Sequence, residues 1–173
     1  PKTVSLTGSS IAGIDSGNYT LSLTGAPTAS ANLTARPITV TAVTGTKVYD
    51  GTTSSAGVPT ITTGALQGTD SVAWTQTYDN KNIGSGNKTM TAAGTVSDGN
   101  SGLNYSVTFA TNTTGSITAK SLTIGGTFTA NNKVYDATTS ATILVNSLTL
   151  TGVVGAETVT LAPVLVFADK NAS

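Results

Sequence analysis

The stretches KVYDGTT (47–53) and KVYDATT (133–139) set an amine, a phenol and a carboxylate at one spacing twice: Lys47, Tyr49, Asp50 and Lys133, Tyr135, Asp136. Such a trio could contact a ligand, but nothing beside it supplies a catalytic partner. A structural role fits the residue types better. Asp-Gly favours a hairpin turn with positive φ at both central residues, yet the second copy has Ala137, which is penalised there. Aspartate is therefore expected to set the turn. Its carboxylate would accept the N–H groups that follow, with the next threonine hydroxyls assisting. Tyr49 and Tyr135 are expected to pack into the core at a strand end, each hydroxyl finding a partner. Lys47 and Lys133, two residues earlier, share the tyrosine's strand face and can lie over its ring or pair with an acid. One turn is built twice.

Other chemistries lack reagents. With no histidine and no cysteine, the plentiful serines and threonines have no imidazole base, and thiol or thiolate chemistry is absent. A pair of carboxylates could act on a glycoside, but the acids recur as turn residues, and no catalytic residue or cofactor is expected. Asp15, Asp79 and Asp98 sit in or near Gly/Asn turns that offer oxygens to calcium. They are spread one per turn without ligand spacing, so capping is the reading and no metal is expected. A Lys–Asn cross-link beside a buried acid, as in stalk domains of some surface proteins, needs three particular residues meeting in a dry core. The sequence contains such residues without singling any out. Glycan-acceptor spacing at Asn32, Asn87, Asn112 and Asn171 is what so much Asn, Ser and Thr gives by chance. Trp74 has an aliphatic counterpart, Leu161, and is read as core rather than as a carbohydrate platform.

Eight basic and eight acidic residues in 173 cancel to zero net charge, so no nucleic-acid or anionic-membrane partner is implied. No apolar run approaches the about 20 residues needed to cross a bilayer, and no membrane insertion is expected. Pro1 is no natural translation start, so the chain reads as a segment of something longer.

The elements that must position these residues come from self-similarity. ANLTARPITV (31–40) parallels GSITAKSLTI (115–124), TYDNKNIG (77–84) parallels FADKNAS (167–173), KTMT (88–91) matches KTVS (2–5), and GLNYSVTF (102–109) resembles GNYTLSL (17–23). In order, these matches are circular. Residues 36–119 form one complete copy, 120–173 the first part of a second, and 1–35 the last part of a copy. One period of a tandem array has this layout, as would a segment trimmed at arbitrary points or a domain circularly permuted through duplication, and charged positions recur with the same sign in both copies.

Each copy reads as strand throughout. Val72, Trp74, Gln76 and Tyr78 share one face at period two, with Val159, Leu161, Leu165 and Phe167 as counterparts. Leu103, Tyr105, Val107 and Phe109 alternate with polar residues, as in a half-buried strand. Gly/Asn/Asp clusters at 64–70, 82–87 and 97–102 mark turns. The expectation is an all-β chain of tandem small antiparallel β-sandwich-like domains.

With Tyr49-Asp50-Gly51-Thr52-Thr53, Tyr135-Asp136 with Thr138-Thr139, the lysines Lys88 and Lys2 after an Asn-rich loop, and the closing Asn104-Tyr105 and Asn18-Tyr19, the chain resembles the YDG and MBG-type repeats of large bacterial surface adhesins, including filamentous-haemagglutinin-like secreted proteins. Ala137 departs from the name-giving glycine. The resemblance implies an all-β domain repeated many times in an exported protein, without catalytic residues. The expected role is an extracellular stalk or filament, with neighbouring copies of the same repeat as partners in cis or in a fibre. The alternatives are a module binding host or bacterial surface glycans and a strand-exchanging fibre subunit.

Overall fold

The structure is a computed structural model that describes residues 1–172; Ser173, which ends the second-copy range, lies outside the described residues. It is almost entirely β. The strands are β1 (Lys2–Ser5), β2 (Thr28–Ala31), β3 (Arg36–Thr41), β4 (Thr46–Val48), β5 (Thr60–Thr63), β6 (Ser71–Tyr78), β7 (Gly84–Ser97), β8 (Tyr105–Ala110), β9 (Asn112–Thr118), β10 (Thr123–Ala130), β11 (Ser140–Ala141), β12 (Ile143–Thr151) and β13 (Leu165–Val166). A single 3₁₀ turn at Ser16–Asn18 is the one helical element among the described residues. Two compact units divide the chain. One comprises Pro1–Thr39, Ile61–Ala73 and Thr95–Thr108; the other comprises Val40–Thr60, Trp74–Gly94 and Phe109–Ser173.

The complete copy has a three-stranded sheet in the order β5-β3-β8 and a four-stranded sheet in the order β4-β9-β7-β6. Period-two burial follows from the threonine- and valine-rich alternation. Ile38 and Val40 on β3, Trp74 on β6, Met90 on β7, Tyr105 on β8 and Ile117 on β9 are buried. β7 pairs antiparallel with β9, whereas β4 pairs parallel with it. The bonds Arg36 N–H to Asn104 C=O (2.8 Å) and Ala42 N–H to Ala110 C=O (3.0 Å) keep a constant offset, so β3 also runs parallel to β8. The segments β3–β4 and β8–β9 thus pass side by side from one sheet to the other. Alternation cannot reveal this, because parallel and antiparallel neighbours bury the same residues.

In the second copy the inward face is bare. Leu122 and Ile124 are 37% and 63% exposed, where their counterparts Ile38 and Val40 are 2% and 0% exposed. β10 pairs only with β12 and β11 only with β13. The strand expected from Val159 to Phe167 shrinks to Leu165–Val166, with Val159 and Leu161 outside any strand. The equivalent β6 pairs with β7, whereas among the described residues β13 pairs with β11 alone. A strand pair with the register of β7 and β9 lies among the first residues. β1 and β2 pair antiparallel with Lys2 opposite Ala31, as β7 and β9 pair with Lys88 opposite Gly115. Those two pairs are the same positions of the repeat.

Two smaller expectations change. Leu103 is 71% exposed, because Asp98 gathers the N–H groups of Asn100 (2.8 Å), Gly102 (2.7 Å) and Asn104 (2.9 Å) into a loop that delays β8 until Tyr105. Val72 and Phe109 are exposed, and the buried face of β6 begins at Trp74.

Candidate functional site

The KVYD turn has the same bonds in both copies. Asp50 accepts the Thr52 N–H and hydroxyl, each at 2.9 Å. Asp136 accepts the Thr138 N–H and hydroxyl at the same distances. Lys47 bridges the turn with Nζ at 2.7 Å from Asp50 and 2.8 Å from the Thr52 carbonyl. Lys133 likewise lies 2.7 Å from Asp136 and 3.0 Å from the Thr138 carbonyl. Hydrogen bonds from the lysine and then from the threonine N–H bring both aspartates down to about 2. The residue after the aspartate has positive φ in both copies, +79° at Gly51 and +64° at Ala137. The carboxylate therefore fixes the turn whether or not glycine follows it.

Each lysine lies over an aromatic ring, though not that of its own motif. Lys47 Nζ is 5.3 Å from the Tyr78 ring centre and Lys133 Nζ 5.8 Å from that of Phe167. A backbone bond registers the two pieces: Tyr78 N–H to Thr53 C=O and Phe167 N–H to Thr139 C=O, both 2.8 Å. Burial, with a smaller contribution from Asp50, raises the Tyr78 phenol. The motif thus closes the end of the β6 position, with the cation resting on a π face.

Tyr49 corrects the expectation of a core residue. It is half-buried, and its hydroxyl donates to Glu157 of the second copy. Lys81 Nζ reaches the same carboxylate oxygen at 2.6 Å and lies 5.9 Å from the Tyr49 ring centre. Hydrogen bonds from Lys81 and then Tyr49 hold the Glu157 carboxyl below the ordinary glutamate range. Gly51 packs beside this contact, and a Cβ there would come within 2.8 Å of Val154 Cγ1. A groove of about 330 Å³ lined by Tyr49, Ile83, Leu122, Val154 and Val159 adjoins it. Only four residues, 119–122, separate β9 from β10, so the two copies meet through side chains rather than through a linker. Tyr135, equivalent to Tyr49, is 61% exposed.

In the sequence Glu157 is one of the charges that recur between the copies, at the position of Asp70. Both acids accept a tyrosine hydroxyl: Asp70 takes that of Tyr105 at 2.5 Å, while Gln67 N–H donates to the same hydroxyl at 2.8 Å. Trp74 is 7% exposed and meets Phe109 edge-on, with ring centres 5.6 Å apart. The oxygens of Asp98 serve the backbone groups named above, and those of Asp79 face Lys88 and Asn80. No group of three or more metal-ligating side chains occurs among the described residues. No described helix is long and apolar enough to cross a membrane.

No curated protein and no solved structure matches the chain. One family model does, twice, over residues 34–114 and 118–173. One match contains the turn with Tyr49-Asp50-Gly51 and the other the turn with Tyr135-Asp136-Ala137, and by these two matches the chain belongs to the YDG domain family.

Proposed function

We propose that this chain is a structural, non-catalytic repeat from the extracellular stalk or filament of a bacterial surface adhesin. The observation that carries the reading is the junction. Glu157 of one copy is held by both Tyr49 and Lys81 of the copy before it, across a connection of four residues. Repeats joined this way resist bending between them, which suits a spacer better than a set of independent binding modules. The low charge supports the same reading, since bringing such surfaces together desolvates few ions. In the array, the bare face of 120–172 is completed by residues equivalent to 1–35 of the next period, whose paired strands β1 and β2 have the register of β7 and β9.

Antibodies against 36–119, applied to intact cells of the producing organism, test the assignment. Gold label standing off the envelope is expected; label that appears only after lysis would remove the stalk reading. The uncovered face favours one competitor, a fibre in which separate chains complete each other by strand exchange. A glycan-binding role gains no such support, because Trp74 is buried and the exposed Phe128 and Tyr135 belong to the uncovered copy.

A further inference from the structure

The repeat buries one lysine. Lys88, on β7, is 4% exposed, and glycines make the room for it. A Cβ at Gly84 would lie 2.7 Å from Lys88 Cδ, and one at Gly115 would lie 3.2 Å from Lys88 Cβ. The amine emerges from this channel onto the two residues that follow β6. Nζ is 2.5 Å from Asn80 Oδ1 and 3.2 Å from Asp79 Oδ1. The other Asp79 oxygen, Oδ2, accepts from Asn80 Nδ2 at 3.1 Å. Asn80 Oδ1 also accepts the backbone N–H of Asn82 at 3.0 Å, so two donors hold the oxygen end of the amide and the Asp79 carboxylate accepts from its nitrogen end.

A turn needs less than this. Asn80 and the Asn82 N–H alone make the Asx-turn, and the second copy makes it with Asp169 accepting the Asn171 N–H at 2.7 Å. In that copy Phe167-Ala168-Asp169 stand where Tyr78-Asp79-Asn80 stand. The complete copy therefore adds an amide and a neighbouring carboxylate, both aimed at a sequestered amine.

We propose that Lys88 and Asn80 form an intramolecular isopeptide bond, with Asp79 as the proton shuttle. Asp79 takes a proton from the Lys88 ammonium, and the freed lone pair adds to Asn80 Cγ. The charge that develops on Oδ1 faces the Asn82 N–H, a fixed donor of the kind that stabilises an oxyanion. Asp79 then passes protons from Nζ to Nδ2, the Cγ–Nδ2 bond breaks, and Cγ=O reforms. The balance is one ammonium and one carboxamide in, one secondary amide and one ammonium ion out; no oxidant or cofactor is needed. Asp79 is within reach to act as the base, but its side chain is 38% exposed and Asn80 is exposed too, so of the three groups only the amine is buried. Burial pushes its carboxyl up, but bonds from Lys88 and from the Asn80 N–H outweigh this and leave it below the ordinary range. Removing a proton from an ammonium with so weak a base is slow. A bond made once per molecule tolerates slowness when the reacting groups are already held together. The product would staple the base of the loop 79–83, which carries Lys81 to Glu157.

Intact mass of the purified full chain is the test, with tryptic mapping. The expected mass is one ammonia below that of the sequence. Trypsin should leave Lys88 uncut and release 48–81 joined to 82–120 through Asn80 and Lys88. Lys88→Arg keeps the charge but cannot form the amide, and should restore the full sequence mass, as should Asp79→Ala. The proposal is overturned if the wild-type chain keeps its sequence mass after days at pH 9 with Lys88 cut normally. It is equally overturned if ammonia is lost while the two peptides stay separate, since that is a succinimide at asparagine.

Discussion

Replacing Gln76 with leucine should cost the complete repeat more than its conservative size suggests. Gln76 is 2% exposed on the face of β6 that also holds Trp74 and Tyr78. Its Oε1 accepts the Val43 N–H at 2.8 Å, and its Nε2 donates to the Val43 carbonyl at 3.0 Å and to Ser55 Oγ at 3.1 Å. Val43 lies between β3 and β4, where the chain leaves one sheet for the other. The glutamine amide stands in for the strand neighbour that this residue lacks. Leucine fills the volume but orphans one backbone donor and one acceptor, at about 1–3 kcal/mol for each buried group. Val43 is only half-buried, so water recovers part of that, and the added apolar burial returns about 1 kcal/mol. The net expectation is about 2–4 kcal/mol of destabilisation. For a domain of this size that lowers Tm by about 10–25 °C. Urea titration and a thermal melt followed by Trp74 fluorescence read both quantities. A Gln76→Leu variant within about 0.5 kcal/mol of wild type, the usual spread for an inert surface change, would refute the reasoning.

Four further outcomes concern the turns and the junction. Gly51→Ala should destabilise by about 1–2 kcal/mol from positive φ alone, with more from the approach to Val154. Ala137→Gly should be neutral or stabilising, because relief of the same strain exceeds the about 0.4–1 kcal/mol of extra unfolded-chain entropy; paired melts decide both. In acid, Asp50 and Asp136 have folded values near 2, below the ordinary 3.8. The stability they contribute is full above the unfolded value and is lost as pH falls through about 2. Carboxyl NMR titration should find both midpoints near 2, with that of Asp50 moving up in Lys47→Ala; midpoints at the ordinary value would remove the Lys47 contact. Glu157→Gln should leave the Tm of the complete repeat nearly unchanged, since the contact is exposed, while raising the side-chain mobility of Tyr49 seen by NMR. An unchanged Tyr49 would contradict the junction.

The turns and the core face of the repeat were readable because single residues decide them. Asp50 and Asp136 recur before different residues, which pointed to the carboxylate, and in both copies it accepts the N–H and hydroxyl of the threonine two residues on. Trp74, Gln76 and Tyr78 show their shared face through period two. What stayed hidden depends on neighbours in space. Parallel pairing of β4 with β9 leaves no mark on alternation. The hydroxyl of Tyr49 finds Glu157, 108 positions away in sequence, and no local pattern encodes that. The burial of Lys88 was not legible, because it depends on two glycines, Gly84 on β7 and Gly115 on β9, that only the fold brings beside it. Leu103 was misjudged for a local reason: Asp98 holds three N–H groups and keeps that residue in the loop. The recurrence of charges did carry information. Lys47, Asp50, Lys133 and Asp136 sit at turns, and Lys81 and Glu157 meet at the junction.

The account rests most heavily on the claim that 120–172 is half of a domain completed by the next period. Hydrogen exchange on a chain of two periods joined head to tail tests it directly, with the single period as reference. In the first of the two periods, the amides of β10 and of the segment 158–167 should become protected, and Phe128 and Tyr135 should lose their access to solvent. If those amides exchange as fast in the double chain as in the single one, the second copy is not completed in cis and the tandem-array account fails.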